Sequence, residues 1–157
     1  MQPNIGIKPD NLGAVSRILS TFLADEFLLY TKTRNAHWNV EGPDFHDKHK
    51  FFEAQYEQLD EIMDEVAERI RSLGHYAPGT LKQFLELTQL TELSRSKNDS
   101  QGFIRELLSD HENIIIFLRE NIDKIANEYK DAGTSDFITG LMEIHEKMAW
   151  MLRSHLR

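Results

Sequence analysis

Four long amphipathic segments, the absence of any strand pattern and one longer mid-chain connection predict an all-α fold, a four-helix bundle. A chain of 157 residues makes this a single domain, 1–157, with enough length to bury a real core. Hydrophobic residues supply 40% and charged residues 28% of the chain, the balance of an ordinary globular protein.

After a short tail, 1–9, Asp10 or Asn11 is placed to cap a first helix. Leu12, Val15, Leu19, Phe22 and Leu23 keep the helical period, and the helix runs to about Asn39. Gly42-Pro43 breaks it, and Asp44 can cap a second helix over 44–73. Phe52, Leu59, Met63, Val66, Ile70 and Leu73 share one face of that helix. Gly74 to Pro78-Gly79 ends it. Thr80-Leu81-Lys82-Gln83 has the form of a capping box and predicts a short helix over 80–88. A polar stretch, Ser94 to Ser100, leads into a third long helix over 101–129, with Phe103, Leu107, Ile114, Phe117, Leu118, Ile122 and Ile125. Asp131 to Thr134 reads as the last turn, before a helix over 135–156 carrying Ile138, Leu141, Met142, His145, Met148 and Leu152.

Composition excludes several function classes. With no cysteine, disulfides, cysteine-based zinc sites and thiol nucleophiles are absent. No apolar stretch approaches the roughly 20 residues that span a membrane. The first residues show no charged region followed by an apolar run, so no signal peptide is expected, and the protein reads as cytoplasmic. The formal net charge is -8 and neither end is rich in Lys or Arg. Sequence-independent nucleic-acid binding needs clustered cations to displace counterions from phosphate, so DNA binding is expected to be weak or absent at neutral pH.

The chemistry concentrates in two places. One is the block His37-Trp38-Asn39-Val40-Glu41-Gly42, with His49 further on and Glu53 one turn later. The other is the acid pair Asp64 and Glu68 on the same second helix. Each pair one turn apart can converge on one ion, and imidazole with carboxylate suits iron(II). On the helical wheel, His49, Glu53, Asp60 and Asp64 fall on one side, away from the apolar face, with Glu57 and Glu68 at its edge. The plain alternative is a solvated acidic face.

Reach decides what these groups can do together. His49 and Asp64 stand fifteen residues apart (64 − 49) on one helix, roughly 22 Å at about 1.5 Å per residue. No single ion touches both within one chain. If they form one site, it is shared by two chains across a twofold axis, which makes two equivalent sites per dimer. The usual di-iron bundle uses Glu-x-x-His pairs pointing inward, and no histidine here has Glu three residues before it.

At these residues the chain resembles the Dps family, the mini-ferritins or DNA-protection-during-starvation proteins. His37-Trp38-Asn39-Val40-Glu41-Gly42 is similar to the family's first signature, and Met63-Asp64-Glu65-Val66-Ala67-Glu68-Arg69-Ile70, continuing to Leu73-Gly74, to its second. The likeness covers nearly the whole chain. It implies a ferritin-like bundle assembling as a hollow homododecamer that oxidises iron(II), preferring hydrogen peroxide, and stores iron(III) mineral. By this resemblance His37 and His49 are ligands from one subunit, and Asp64 and Glu68 are ligands from its twofold mate. Glu53 stands where the family often has an acid. Trp38 matches a position proposed to be oxidised in place of other targets; the other reading is an apolar anchor at a helix end. Asp131 and Asp136 flank the turn where the family's acids line entry pores, Asp136 matching best; the other reading is an acid complementing a helix dipole.

Composition alone does not choose between His46 and His49; the family spacing does. His145 reads as a core histidine, and His75, His111 and His155 as structural or exposed. A rival function is a structural or DNA-compacting dodecamer whose metal site is vestigial or takes zinc in place of iron.

Overall fold

The computed structural model describes residues 3–92 and 96–156. It contains five α-helices: α1 (Pro9–Asn39), α2 (Phe45–Ser72), α3 (Leu81–Leu87), α4 (Ser100–Asp123) and α5 (Ala132–Ser154), with a single π-turn at Lys124–Glu128 before α5. The polar linker predicted from Ser94 lies partly outside the described residues.

α1 and α2 form an antiparallel hairpin, as a four- to five-residue connection in a bundle requires. α4 and α5 form a second, clasped by Arg153 to Glu112 at 2.7 Å and by Arg119 to Glu146. The hairpins face each other around one apolar core, in which Phe22, Leu29, Phe52, Leu59, Ile104, Leu118 and Ile138 are fully buried. Each such side chain contributes about 1.5–3 kcal/mol by leaving water. α3 lies against α1, with the Phe84 ring stacked on Phe27 at 4.3 Å. No helix among the described residues is long and apolar enough to cross a membrane.

Several helix ends differ from expectation. α1 starts at Pro9 with Lys8 at the N-cap, so neither Asp10 nor Asn11 caps it. Proline suits a first turn because its missing N–H has no partner there. Asn11 instead donates to the Tyr129 carbonyl at 3.0 Å. Asp44 does occupy the N-cap of α2 but makes no cap bond; its Oδ2 accepts from the Ser100 hydroxyl at 2.7 Å. That bond lowers the Asp44 pKa. On α2, Ile62 and Gln55 are buried while Met63 is only half-buried, because the core-facing stripe is rotated toward Ile62. The third long helix breaks from α- to π-geometry at Lys124, and its chain turns through Lys130 at φ 59°. α3 carries its predicted capping box in full, Thr80 with Gln83. Gly74, after α2, has φ +86°, and the Pro3 ring fills the space a Cβ would need.

α5 begins three residues earlier than predicted, because Asp131 is its N-cap rather than part of a turn. The Asp131 carboxylate accepts from the Thr134 amide at 2.9 Å and the Thr134 hydroxyl at 2.5 Å, and lies 3.4 Å from Arg69 of α2. One buried acid thus starts a helix and ties the two hairpins. Asp131→Ala is expected to lower stability by about 1–2 kcal/mol, read as a shift in urea midpoint at fixed protein concentration. An unchanged midpoint would show the cap to be idle.

Candidate metal centre

His37 sits in the last turn of α1, where carbonyls lack helical partners. His49 sits just after the start of α2. The tight hairpin puts them side by side, and each ring reaches the other's backbone carbonyl. His37 Nδ1 bonds to the His49 carbonyl at 2.8 Å, and His49 Nδ1 bonds to the His37 carbonyl at 2.9 Å. A carbonyl only accepts, so each Nδ1 carries the proton. That leaves Nε2 of each ring as the atom through which it can bind a metal. The rings stack 3.8 Å apart at 20°. His37 is 7% exposed, so its orientation is held by packing as well. This reciprocal lock is the outer support that metal-binding imidazoles require.

Glu53 stands one helical turn beyond His49. Its Oε2 accepts from Lys50 at 2.6 Å. That bond, with the fields of His37 and His49 as lesser causes, holds its carboxyl below the usual range. Asp64 and Glu68 lie far down α2, both exposed, as are Asp60 and Glu57. Asp60, Glu61 and Asp64 rim an open cavity of about 450 Å³ whose floor includes Leu23, Phe27, Met63 and Phe84. Among the described residues no three His, Asp or Glu side chains gather in position to hold an ion. The chain therefore brings His37 and His49 together, leaves Glu53 one turn away on Lys50, and keeps Asp64 and Glu68 apart from them.

Trp38 does not anchor the helix end to the rest of the chain. It is 62% exposed, and the Arg34 guanidinium lies 5.0 Å from its ring. Asp131 is buried as the α5 cap, whereas Asp136 is exposed. His46 is exposed, and His75 and His155 are half-buried.

Two groups escaped the sequence reading. Tyr56 meets the His37 ring edge-on at 5.1 Å, with Arg34 4.3 Å from its own ring centre. The second group is a fully buried chain in the bundle core. His145 Nε2 lies 2.9 Å from Glu26 Oε1, and its Nδ1 lies 2.9 Å from Nδ1 of His111. His145 is the core histidine that the sequence predicts, and of the two readings of His111, structural or exposed, the buried structural one holds; what the sequence did not show is their pairing with Glu26. A signal existed, since Glu26 and His111 both fall on apolar stripes, after Phe22 and between Leu107 and Ile114.

The sequence profile of the ferritin-like domain matches residues 17–157. An uncharacterised low-temperature-induced protein of Nostoc is 43% identical over 98% of this chain and 86% of its own. DNA protection during starvation protein 2 of Bacillus anthracis is 34% identical, over 90% of this chain and 96% of that one. The chain belongs to the Dps family of ferritin-like proteins. The fold agrees. The Dps protein of Vibrio cholerae, described as one of a broad superfamily of ferritin-like diiron-carboxylate proteins, superposes with a TM-score of 0.92 at 28% identity, covering 99% of this chain and 97% of that one. The Dps of Staphylococcus aureus superposes with 0.85 at 33% identity, covering 91% and 95%.

In this Dps-family chain the buried His111 has a consequence for acid stability. Burial first, and the adjacent His145 second, push its pKa well below the ordinary 6.5. The folded protein keeps it neutral; the unfolded chain takes up a proton. Its contribution is therefore present above about pH 6.5 and lost as pH falls below it, by up to about 1.4 kcal/mol per pH unit. Urea denaturation at about pH 7.5 and 5.5 should show a smaller acid loss for His111→Gln than for wild type. Equal losses would contradict this assignment.

Proposed function

We propose that the protein oxidises iron(II) with hydrogen peroxide at sites shared between two subunits and stores the iron(III) inside a homododecameric cage. The observation that carries this reading is the pair of Nε2 atoms fixed by reciprocal hydrogen bonds between His37 and His49. The two imidazoles, joined by the Glu53 carboxylate once it leaves Lys50, would supply half of a coordination shell for iron(II). The complementary acids, Asp64 and Glu68, are exposed on the same helix at a distance one chain cannot close. A twofold mate running antiparallel would bring the partner subunit's Asp64 and Glu68 over His37 and His49. Membership of a family whose relatives include a named diiron-carboxylate protein and DNA-protection proteins supports iron and oxidative protection as the general role.

Within such a site the chain's residues act in sequence. His37 and His49 would hold iron(II) through Nε2, with their rings kept in place by the Nδ1–H bonds to carbonyls. The carboxylates balance the charge that grows as iron(II) becomes iron(III). Each peroxide takes two electrons and two protons to become two waters, so two irons, or one iron and a second donor, are needed to avoid releasing hydroxyl radical. Exposed Asp136 is the better candidate for guiding iron at a pore, since Asp131 is held inside the α5 cap. The net charge of -8 argues against DNA as a partner at neutral pH, and a gel shift at low salt should show no tight complex.

The test is anaerobic iron(II) loading followed by peroxide, on wild type and on His37→Ala/Asp64→Ala, with particle size measured alongside. Fast oxidation in a particle of about twelve subunits, reduced at least about 100-fold in the double variant, is expected. Equal rates would mean that the histidine block and acid pair are not the site, and the structural-cage reading, with a vestigial or zinc-occupied site, would take over.

A further inference from the structure

We propose that Trp38 is the plug by which each subunit anchors its histidine-bearing hairpin in a second copy of the chain, seated in the acid-rimmed cavity beside Asp64; this rests on the shared-site reading above. One chain leaves two surfaces incomplete. The first is Trp38, 62% exposed at the end of α1. Among the described residues its ring meets only the Arg34 guanidinium, 5.0 Å away. An exposed indole forgoes the large apolar burial that this side chain ordinarily contributes. Arg34 makes no ion pair among the described residues; its cation lies over aromatic rings, 4.3 Å from the centre of Tyr56. The second surface is the open cavity of about 450 Å³ with Leu23, Phe27, Met63 and Phe84 on its floor. Asp60, Glu61 and Asp64 form its rim, and none of these acids is ion-paired among the described residues.

The twofold axis that completes the metal site also joins these two surfaces. For the partner subunit's His37 and His49 to reach Asp64, the axis crosses α2 midway between His49 and Asp64, near Tyr56, with the two α2 helices antiparallel. Such a rotation reverses direction along α2 and exchanges front for back, but keeps both α1 helices on the same side of the α2 pair. The last turns of the partner's α1 then lie over the part of α1 that holds Leu23 and Phe27. The partner's Trp38 arrives at the cavity with the partner's Arg34 one turn behind it. Indole matches the apolar floor, and guanidinium matches the carboxylates of Asp60 and Glu61. Trp38 follows His37 directly in the chain, so seating the indole sets how closely His37 approaches the acids of the mate. Trp38 is therefore a positioning residue for the shared site.

The test reads Trp38 by its own fluorescence. The chain has two tryptophans, so in the Trp150→Phe protein the emission comes from Trp38 alone. In the assembled, metal-free particle that emission is expected at short wavelength and shielded from acrylamide. In the same background Arg34→Glu, and separately Asp60→Lys/Glu61→Lys, should move it to longer wavelength and lower the urea concentration at which the particle loses its size. Combining the two sets of changes reverses both charges of the contact and should recover both readouts. A Trp38 that is freely quenched in the assembled particle, or charge changes that fail to compensate one another, overturns the proposal. Peroxide-driven iron oxidation is followed on the unsubstituted particle alongside. Oxidation with an exposed Trp38 sinks the plug alone. A shielded Trp38 without iron oxidation upholds the plug and sinks the ferroxidase, and a chain that does not assemble sinks both.

Discussion

Two hydrogen bonds that cross between helix ends set the character of this molecule. Each of His37 and His49 gives its Nδ1 proton to the other's backbone carbonyl. This requires the end of α1 and the start of α2 to meet in one register, and the connection supplies it. Gly42 takes φ +132°, a backbone shape few side chains tolerate. The Glu41 amide donates to the Asn98 carbonyl at 2.9 Å, and Ser100 bonds Asp44. The start of α4 thus braces the turn from outside. The imidazoles are oriented before any ion arrives, so binding orders little that is not already ordered.

The second constraint is length. α2 is 28 residues long and carries its imidazole at one end and its acids at the other. The same rigidity that aims His49 keeps Asp64 out of its reach. On the proposed reading a single subunit holds two incomplete halves, and a twofold axis is the simplest operation that would join them. Function would then depend on assembly. The bundle core, by contrast, has no part in iron chemistry on this account. Its buried Glu26–His145–His111 chain links α1, α5 and α4, and removing one member of such a network costs more than its presence contributes.

Much of this was legible in the sequence. Helical periodicity marked four long helices because apolar burial imposes it, and the Thr80–Gln83 capping box survived intact because it is a local interaction. Glycine and proline marked the turns for the same reason. The candidate ligands stood out by type and spacing. The misreadings were long-range. Asp44 reads as a cap, but Ser100, 56 positions later, claims its carboxylate. Asp131 has two readings, a pore acid or an acid at a helix N-terminus; it is the N-terminal acid of α5, and only its contact with Arg69, 62 positions away, is long-range. Tyr56 carries no local sign of its neighbour; only the hairpin brings its ring to His37. Glu26 and His111 were visible as polar residues on apolar stripes, yet their pairing depends on three helices converging.

The most direct test of the shared site uses two inactive chains together. His37→Ala lacks the imidazole half and Asp64→Ala lacks the acid half, but a twofold pair made of one of each contains one intact site and one that lacks both. Random pairing would restore about one quarter of all sites. Cages assembled by co-expressing the two variants should therefore oxidise iron(II) with peroxide at about a quarter of the wild-type rate, while cages of either variant alone stay inactive. Mixed cages no faster than the single variants would contradict the account, because the two halves would then not be completing one another across the interface.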